Sequence, residues 1–130
     1  MQEWLAVVRS RVADGSLLPI AYYQSLDCAA ALNARDTSEV FEREWIAAMA
    51  AVDRLWLAAD VPDATKGLID EIRRETFLAV NLSTSNREIA GYVSDDFDLI
   101  TRGRVIGSTE AIIDQLWIGY QRGTFPYPPL

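Results

Sequence analysis

The chain has 130 residues, 50% of them hydrophobic, with 12 Lys and Arg, 19 Asp and Glu, and a net charge of −7. This balance is typical of one globular domain and excludes a disordered chain, while the negative charge argues against nucleic acid and anionic membranes as partners. The absence of histidine excludes catalytic triads and histidine-bound zinc, and the single cysteine excludes an intramolecular disulfide and favours a cytoplasmic location.

The apolar spacing predicts three helices in the first half of the chain. They are expected over about 2–13, 17–34 and 37–59. In the third, Asp36 as N-cap and Glu39 three residues later have the form of a capping box. The tryptophan-rich face of this helix is predicted to be core and contains Phe41, Trp45, Ala48, Val52, Leu55, Trp56 and Ala59.

Three more helices are expected over about 64–80, 86–101 and 109–122. The segment 77–82 is apolar on all sides and could instead form a short strand, although no partner strand is evident. Prolines keep residues 124–130 out of a helix and predict an extended tail. The sequence therefore predicts an all-α single domain, residues 1–130, built as a bundle of about six helices with short loops.

Most of the net negative charge lies in one segment of the chain. Residues 36–60 contain six acids and two arginines, which gives −4 of the net −7. In a helical projection, the side opposite the tryptophan stripe combines acids with two large apolar residues: Glu39, Glu42, Ile46, Asp53, Leu57 and Asp60. Apolar residues inside an acidic rim predict a partner-binding face. The favoured alternative is that neighbouring helices bury Ile46 and Leu57 and that the acids are merely solvated.

Asp96, which lies in the acidic run 95–98, is the second candidate for a functional site. The run lacks the spacing of a calcium loop. Its helical position places Asp96 at the edge of an apolar stripe, and a partly buried carboxylate needs a partner. The stripe consists of Ile89, Val93, Phe97 and Ile100. It is therefore either a ligand contact or general base, in a pocket near Tyr92 and Tyr120, or a structural acid bonded to an arginine, a tyrosine or a helix N-terminus. The structural interpretation is favoured.

The segment 102–107 is expected to be a loop before the last helix. Its arginines and glycines could hold an anion at a helix N-terminus, but the spacing matches no phosphate-binding motif. Its arginines are instead predicted to pair with nearby aspartates. Asp98 and Arg102 have the four-residue spacing for this, with Asp98 and Asp95 pointing outward.

These observations favour a non-catalytic protein that binds a basic protein partner. Immunity proteins and antitoxins that mask nucleases share this composition, which is an analogy and not a motif match. The alternative is a helical domain that binds a small ligand near Asp96, and a carboxylate enzyme is a weaker third hypothesis. No cofactor or metal site is predicted, and neither a membrane span nor a signal peptide is expected.

Overall fold

The chain folds into seven α-helices, and the computed structural model describes residues 1–130. The helices are α1 (Gln2–Ala13), α2 (Ile20–Ser25), α3 (Cys28–Asp36), α4 (Glu39–Ala58), α5 (Asp63–Thr84), α6 (Arg87–Val105) and α7 (Ala111–Gln121). No strand is present, so the all-α prediction is confirmed and the alternative of a strand over 77–82 is wrong. Each helix is either too short or too polar to cross a bilayer.

The seventh helix arises because the predicted helix 17–34 is divided in two. Pro19 is the N-cap of α2, so residues 17 and 18 lie before the helix. Leu26 then adopts an extended conformation and ends α2. The Asp27 side chain accepts a hydrogen bond from the Ala30 backbone N–H and begins α3. Aspartate is a strong N-cap, and its competition with the helical backbone explains the break.

The helix ends also differ from the prediction at α4 and α6. Ser38, not Asp36, caps α4, because Asp36 is still the last residue of α3. Helix α6 continues to Val105, so the first four residues of the predicted loop 102–107 are helical. Gly103 permits a close approach of α7 here, since a Cβ at this position would lie 2.7 Å from Cδ1 of Ile113.

Helix α6 lies at the centre of the core and packs against α5, α7 and α4. Helix α1 and the short α2 pack on α5. Aromatic edge contacts join α6 to α7: the ring centroid of Phe97 lies 4.7 Å from that of Tyr120 and 6.4 Å from that of Trp117. All the buried hydrophobic residues except Val61 form one continuous cluster, which indicates a single core.

The C-terminal residues after α7 pack on this core. Gly123 has a positive φ of 76° and turns the chain at the end of the helix. Phe125 is buried, and its backbone N–H donates to the Tyr22 hydroxyl at 3.0 Å. The Pro126 ring lies so close to Gly119 that a Cβ there would be 2.6 Å from it. Residues 125 and 126 are therefore part of the folded domain.

Candidate functional site

Asp96 lies at the centre of a buried hydrogen-bond network and is 0% exposed. It accepts hydrogen bonds from Arg35 Nη1 at 3.0 Å and Nη2 at 2.5 Å, from Trp45 Nε1 at 3.0 Å and from the Tyr120 hydroxyl at 2.5 Å. These are the arginine and tyrosine partners that the structural interpretation of Asp96 requires. Burial, followed by the Asp96 charge, raises the pKa of Tyr120 well above its ordinary value.

Arg35 joins four parts of the molecule around this carboxylate, and it is only 5% exposed. Its Nε donates to the Pro126 carbonyl at 2.8 Å, while its guanidinium lies 4.8 Å from the Phe41 ring centroid and 4.3 Å from that of Phe125. Burial acts to lower the pKa of Arg35, but Asp96 outweighs it and the pKa is raised. The buried pair of Arg35 and Asp96 therefore ties α3, α4 and α6 to the C-terminal residues.

A cleft of about 360 Å³ opens above this network. We call it the α4–α6 cleft. It is lined by residues of α3, α4 and α6: Arg35, Asp36, Phe41, Glu42, Trp45, Ile46, Tyr92, Asp95 and Asp96. Residues of both predicted sites meet here, namely Glu42 and Ile46 of the partner face and Tyr92 and Asp96 of the ligand pocket. Tyr120 does not line the cleft and is buried behind Asp96.

Three carboxylates lie at the mouth of the α4–α6 cleft, those of Asp36, Glu42 and Asp95, and few arginines of the protein contact them. Asp36 accepts a hydrogen bond from the Tyr92 hydroxyl, and this bond is the main reason why the pKa of Tyr92 is raised to about 12. Asp95 has one ion pair, to Arg73 at 3.4 Å, and burial raises its pKa. Glu42 is exposed, and none of the protein's ion pairs involves it.

The apolar residues of the predicted partner face are exposed. Ile46 is 56% exposed and Leu57 is 87% exposed. The favoured expectation that neighbouring helices cover them is therefore wrong, because α4 lies at the edge of the bundle. Glu39 and Glu42 are exposed on the same helix. Asp60 is also exposed but lies beyond the end of α4, in the loop before α5.

Asp53 differs from the other acids of this face because it is paired. Its carboxylate contacts Arg102 Nη1 at 2.8 Å. Arg102 also donates to Asp98 through Nε and Nη2, both at 3.0 Å, and its guanidinium lies 5.6 Å from the Trp56 ring centroid. The predicted pairing of Asp98 with Arg102 is confirmed. The outward position predicted for Asp98 is wrong, since Asp98 is only 9% exposed and lies within reach of a second cation, Arg73 at 3.7 Å.

The structure does not support the anion-binding alternative for segment 102–107, because both of its arginines are paired with aspartates. Arg102 is engaged as above, and Arg104 pairs with Asp114 at 2.9 Å. The predicted pairing of these arginines with nearby aspartates is confirmed, although Arg102 and Arg104 lie in the last turns of α6 and not in a loop.

Sequence reasoning missed Arg35, the residue that organises the cleft floor. A signal was present: Arg35 follows the buried Ala31 and Leu32 by four and three residues, so it shares their face of α3. A lone arginine on a buried helical face requires an acidic partner. Asp96 was the acid at the edge of an apolar stripe without an assigned partner.

A search of curated proteins gives no match. The sequence model of a family described as immunity protein PIM1 matches residues 7–127, which include every residue of the α4–α6 cleft and nearly all of the helical domain. Since the match spans most of the 130 residues, the chain belongs to the immunity protein PIM1 family.

Proposed function

We propose that this chain is a non-catalytic inhibitor that acts in the cytoplasm by binding a basic toxin protein and masking its functional surface. Membership of an immunity protein family supports the inhibitory role. The binding surface we propose is the exposed side of α4 with Glu39, Glu42, Ile46, Asp53, Leu57 and Asp60, which we call the acidic α4 face.

The observation that carries this proposal is the exposure of Ile46 and Leu57 among acids. Leu57 is 87% exposed and Ile46 is 56% exposed, both on the side of α4 opposite the tryptophan stripe. A single exposed apolar side chain needs no explanation. Two large ones on one helical face, surrounded by acids, resemble the apolar anchor and polar rim of a protein interface.

The charge of the acidic α4 face suits a basic partner. Residues 36–60 carry −4 of the net −7, and Glu39 and Glu42 are exposed and free of ion pairs. Such a surface accelerates encounter with a positive protein, and salt weakens this effect. We therefore expect affinity to fall as salt is raised, mainly through a slower association rate.

The test uses each protein encoded by the genes that neighbour the gene of this chain. Growth is measured when that protein is expressed alone and together with this chain, and binding of the purified pair is measured at low and high salt by surface plasmon resonance. Rescue of growth with salt-sensitive binding is the expected result. If no neighbouring protein binds even at low salt and none is neutralised, the proposed function is wrong.

The charged rim is tested by the double variant Glu39→Lys and Glu42→Lys. We expect association to slow by about ten-fold, because the steering field is reversed at the rim. The matched control is Asp63→Lys with Asp70→Lys, which changes the net charge equally on exposed positions of α5. An equal effect of both double variants would mean that only net charge matters and that the acidic α4 face is not the interface.

The apolar anchor is tested by Leu57→Ser. We expect dissociation to accelerate by about ten-fold or more, as for a central interface residue. Leu82→Ser is the matched control, since Leu82 on α5 is exposed to the same degree as Leu57. Unchanged dissociation of Leu57→Ser would remove Leu57 from the interface.

A further inference from the structure

We propose that the α4–α6 cleft receives an arginine side chain of the partner protein. This inference rests on the proposed function and adds the site and the chemistry of the group it recognises. The hydrogen-bonding groups, the walls and the charge of the cleft all favour this occupant.

The hydrogen-bond acceptors that the cleft leaves open to a ligand lie at its mouth and not in its floor. In the floor, three of the five N–H groups of Arg35 donate to Asp96 and to the Pro126 carbonyl, and Asp96 accepts four hydrogen bonds in all. The Trp45 indole N–H donates to Asp96, and the Tyr92 hydroxyl donates to Asp36. A group that enters the cleft therefore meets the carboxylate oxygens of Asp36, Glu42 and Asp95, and it binds them by supplying hydrogen-bond donors.

Among ligand groups that donate hydrogen bonds, the negative charge of the cleft favours a cation. Arg35 and Asp96 neutralise each other in the floor at a shortest distance of 2.5 Å. The remaining lining acids, Asp36, Glu42 and Asp95, face this neutral floor with only one distant arginine contact among them, Arg73 to Asp95. An anionic ligand would be repelled here, and a cationic side chain would gain up to three carboxylate partners.

The walls of the cleft favour a guanidinium over an ammonium group. Phe41, Trp45 and Tyr92 contribute aromatic surface, and Ile46 stands half-exposed at the edge. A guanidinium is planar, stacks on aromatic rings and is weakly hydrated, and its methylene stem can lie against Ile46. It also presents a fork of N–H groups to carboxylates, whereas an ammonium acts as a compact, strongly hydrated point charge.

The test follows the indole N–H signals of the four tryptophans in a ¹H–¹⁵N NMR titration of the full chain. The probe is an N-acetylated, C-amidated Ala-Arg-Ala peptide, and the control peptide contains citrulline, the neutral isostere of arginine. The Trp45 signal, assigned by its loss in Trp45→Phe, reports on the cleft floor. We expect the arginine peptide to shift the Trp45 signal with millimolar affinity, and Trp4 and Trp117 to stay unmoved.

The rim is tested with Glu42→Gln and Asp95→Asn, two changes at side chains that do not support the core. Each is expected to weaken peptide binding by about five-fold, the size of a charge contact at an exposed rim. Asp63→Asn with Asp70→Asn on α5 is the matched control and should leave the affinity unchanged.

Three results would overturn the inference: an equal shift with citrulline, tighter binding of the corresponding lysine peptide, or no Trp45 shift with arginine. None of them depends on a toxin. A negative titration together with successful toxin neutralisation would remove the arginine site and leave the proposed function standing. A positive titration without any neutralised toxin would support the arginine site and contradict the proposed function.

Discussion

Helices α4 and α6 are close in length but bury very different numbers of side chains. Of the 20 residues of α4, only Phe41, Ala48 and Val52 are buried, whereas eleven of the 19 residues of α6 are buried. The more apolar helix is thus the exposed one, and the helix with three aspartates in four residues lies in the core. Burial here follows position in the bundle, because α6 packs extensively on α5 and also on α7 and α4, whereas α4 packs less extensively on its neighbours α3, α6 and α7.

The two helices differ in the side chains that are unfavourably solvated: α6 has buried carboxylates, and α4 has exposed apolar side chains. Helix α6 carries buried carboxylates, and each is neutralised: Asp96 by Arg35 and Asp98 by Arg102. Helix α4 carries exposed apolar side chains, Ile46 and Leu57, that nothing in the chain covers. A buried charge without a partner is costly, whereas an exposed apolar side chain costs little, and covering it with a partner is favourable. The acids of α6 therefore serve the fold, and we infer that α4 serves recognition.

The largest effect is expected from Asp96→Asn. The change removes the counter-charge of Arg35 and leaves a buried guanidinium without an anion. Breaking a buried pair from one side destabilises a protein by about 3–5 kcal/mol. The free energy of unfolding, measured by urea denaturation, should fall by this amount.

The control for Asp96→Asn is Asp95→Asn, its exposed neighbour on α6. Asp95 has one long ion pair to Arg73, so its loss should cost less than about 1 kcal/mol. Equal effects of the two substitutions would show that Asp96 is not the anchor of the network.

The second prediction compares two isoleucines of these helices. Ile100 of α6 is fully buried, and Ile100→Ala should lower the free energy of unfolding by about 2–5 kcal/mol through lost burial and a residual cavity. Ile46→Ala on α4 should change it by less than about 0.5 kcal/mol. Both values come from urea denaturation of the isolated chain. A large loss at Ile46 would mean that α4 is a core helix after all.

The sequence predicted well what depends on local spacing. The first helix was expected over 2–13 and is found at Gln2–Ala13, and the α6 stripe of Ile89, Val93, Phe97 and Ile100 is buried. Helical periodicity identified the buried face of α6. In α4 it predicted too large a core face, since Leu55 is 49% exposed and Ala59 is exposed as well. It also placed Asp96 at the edge of the buried stripe.

Periodicity does not reveal how many sides of a helix its neighbours cover. For that reason Asp98 was expected outside and Ile46 was expected to be covered, and both positions are reversed. It also does not reveal contacts between distant parts of the chain. Arg35 and Asp96 are 61 residues apart, so their pairing depends on the packing of α3 against α6. The α4–α6 cleft, built from three helices, could not be assembled before that packing was known.

A third prediction separates the two acids that share Arg102. Asp98 is nearly buried and accepts two hydrogen bonds from Arg102, whereas Asp53 is 54% exposed and accepts one. Asp98→Asn should lower the free energy of unfolding by about 2 kcal/mol, in the range for hydrogen bonds to charged groups. Asp53→Asn should lower it by less than about 1 kcal/mol. The reverse order in urea denaturation would place the stabilising contact of Arg102 on α4 and not on α6.

The smallest effect is expected at high pH, from the bond between Tyr92 of α6 and Asp36 at the end of α3. This bond raises the pKa of Tyr92 from an ordinary value of 10.0 to about 12 in the folded protein. Between these values the unfolded chain has released the phenolic proton and the folded chain still holds it, so stability falls as pH rises through this window. Tyr92→Phe removes this titration but keeps the ring.

The measurement for Tyr92 is the urea midpoint of both proteins at about pH 9 and about pH 11. Burial also raises the pKa of Tyr22, Tyr23 and Tyr120, so both proteins should lose stability over this range. The Tyr92→Phe variant should lose less, and the difference between the two losses isolates the contact with Asp36. Equal losses would mean that Tyr92 titrates alike in the folded and unfolded chains, and the cleft mouth would then lack this link between α3 and α6.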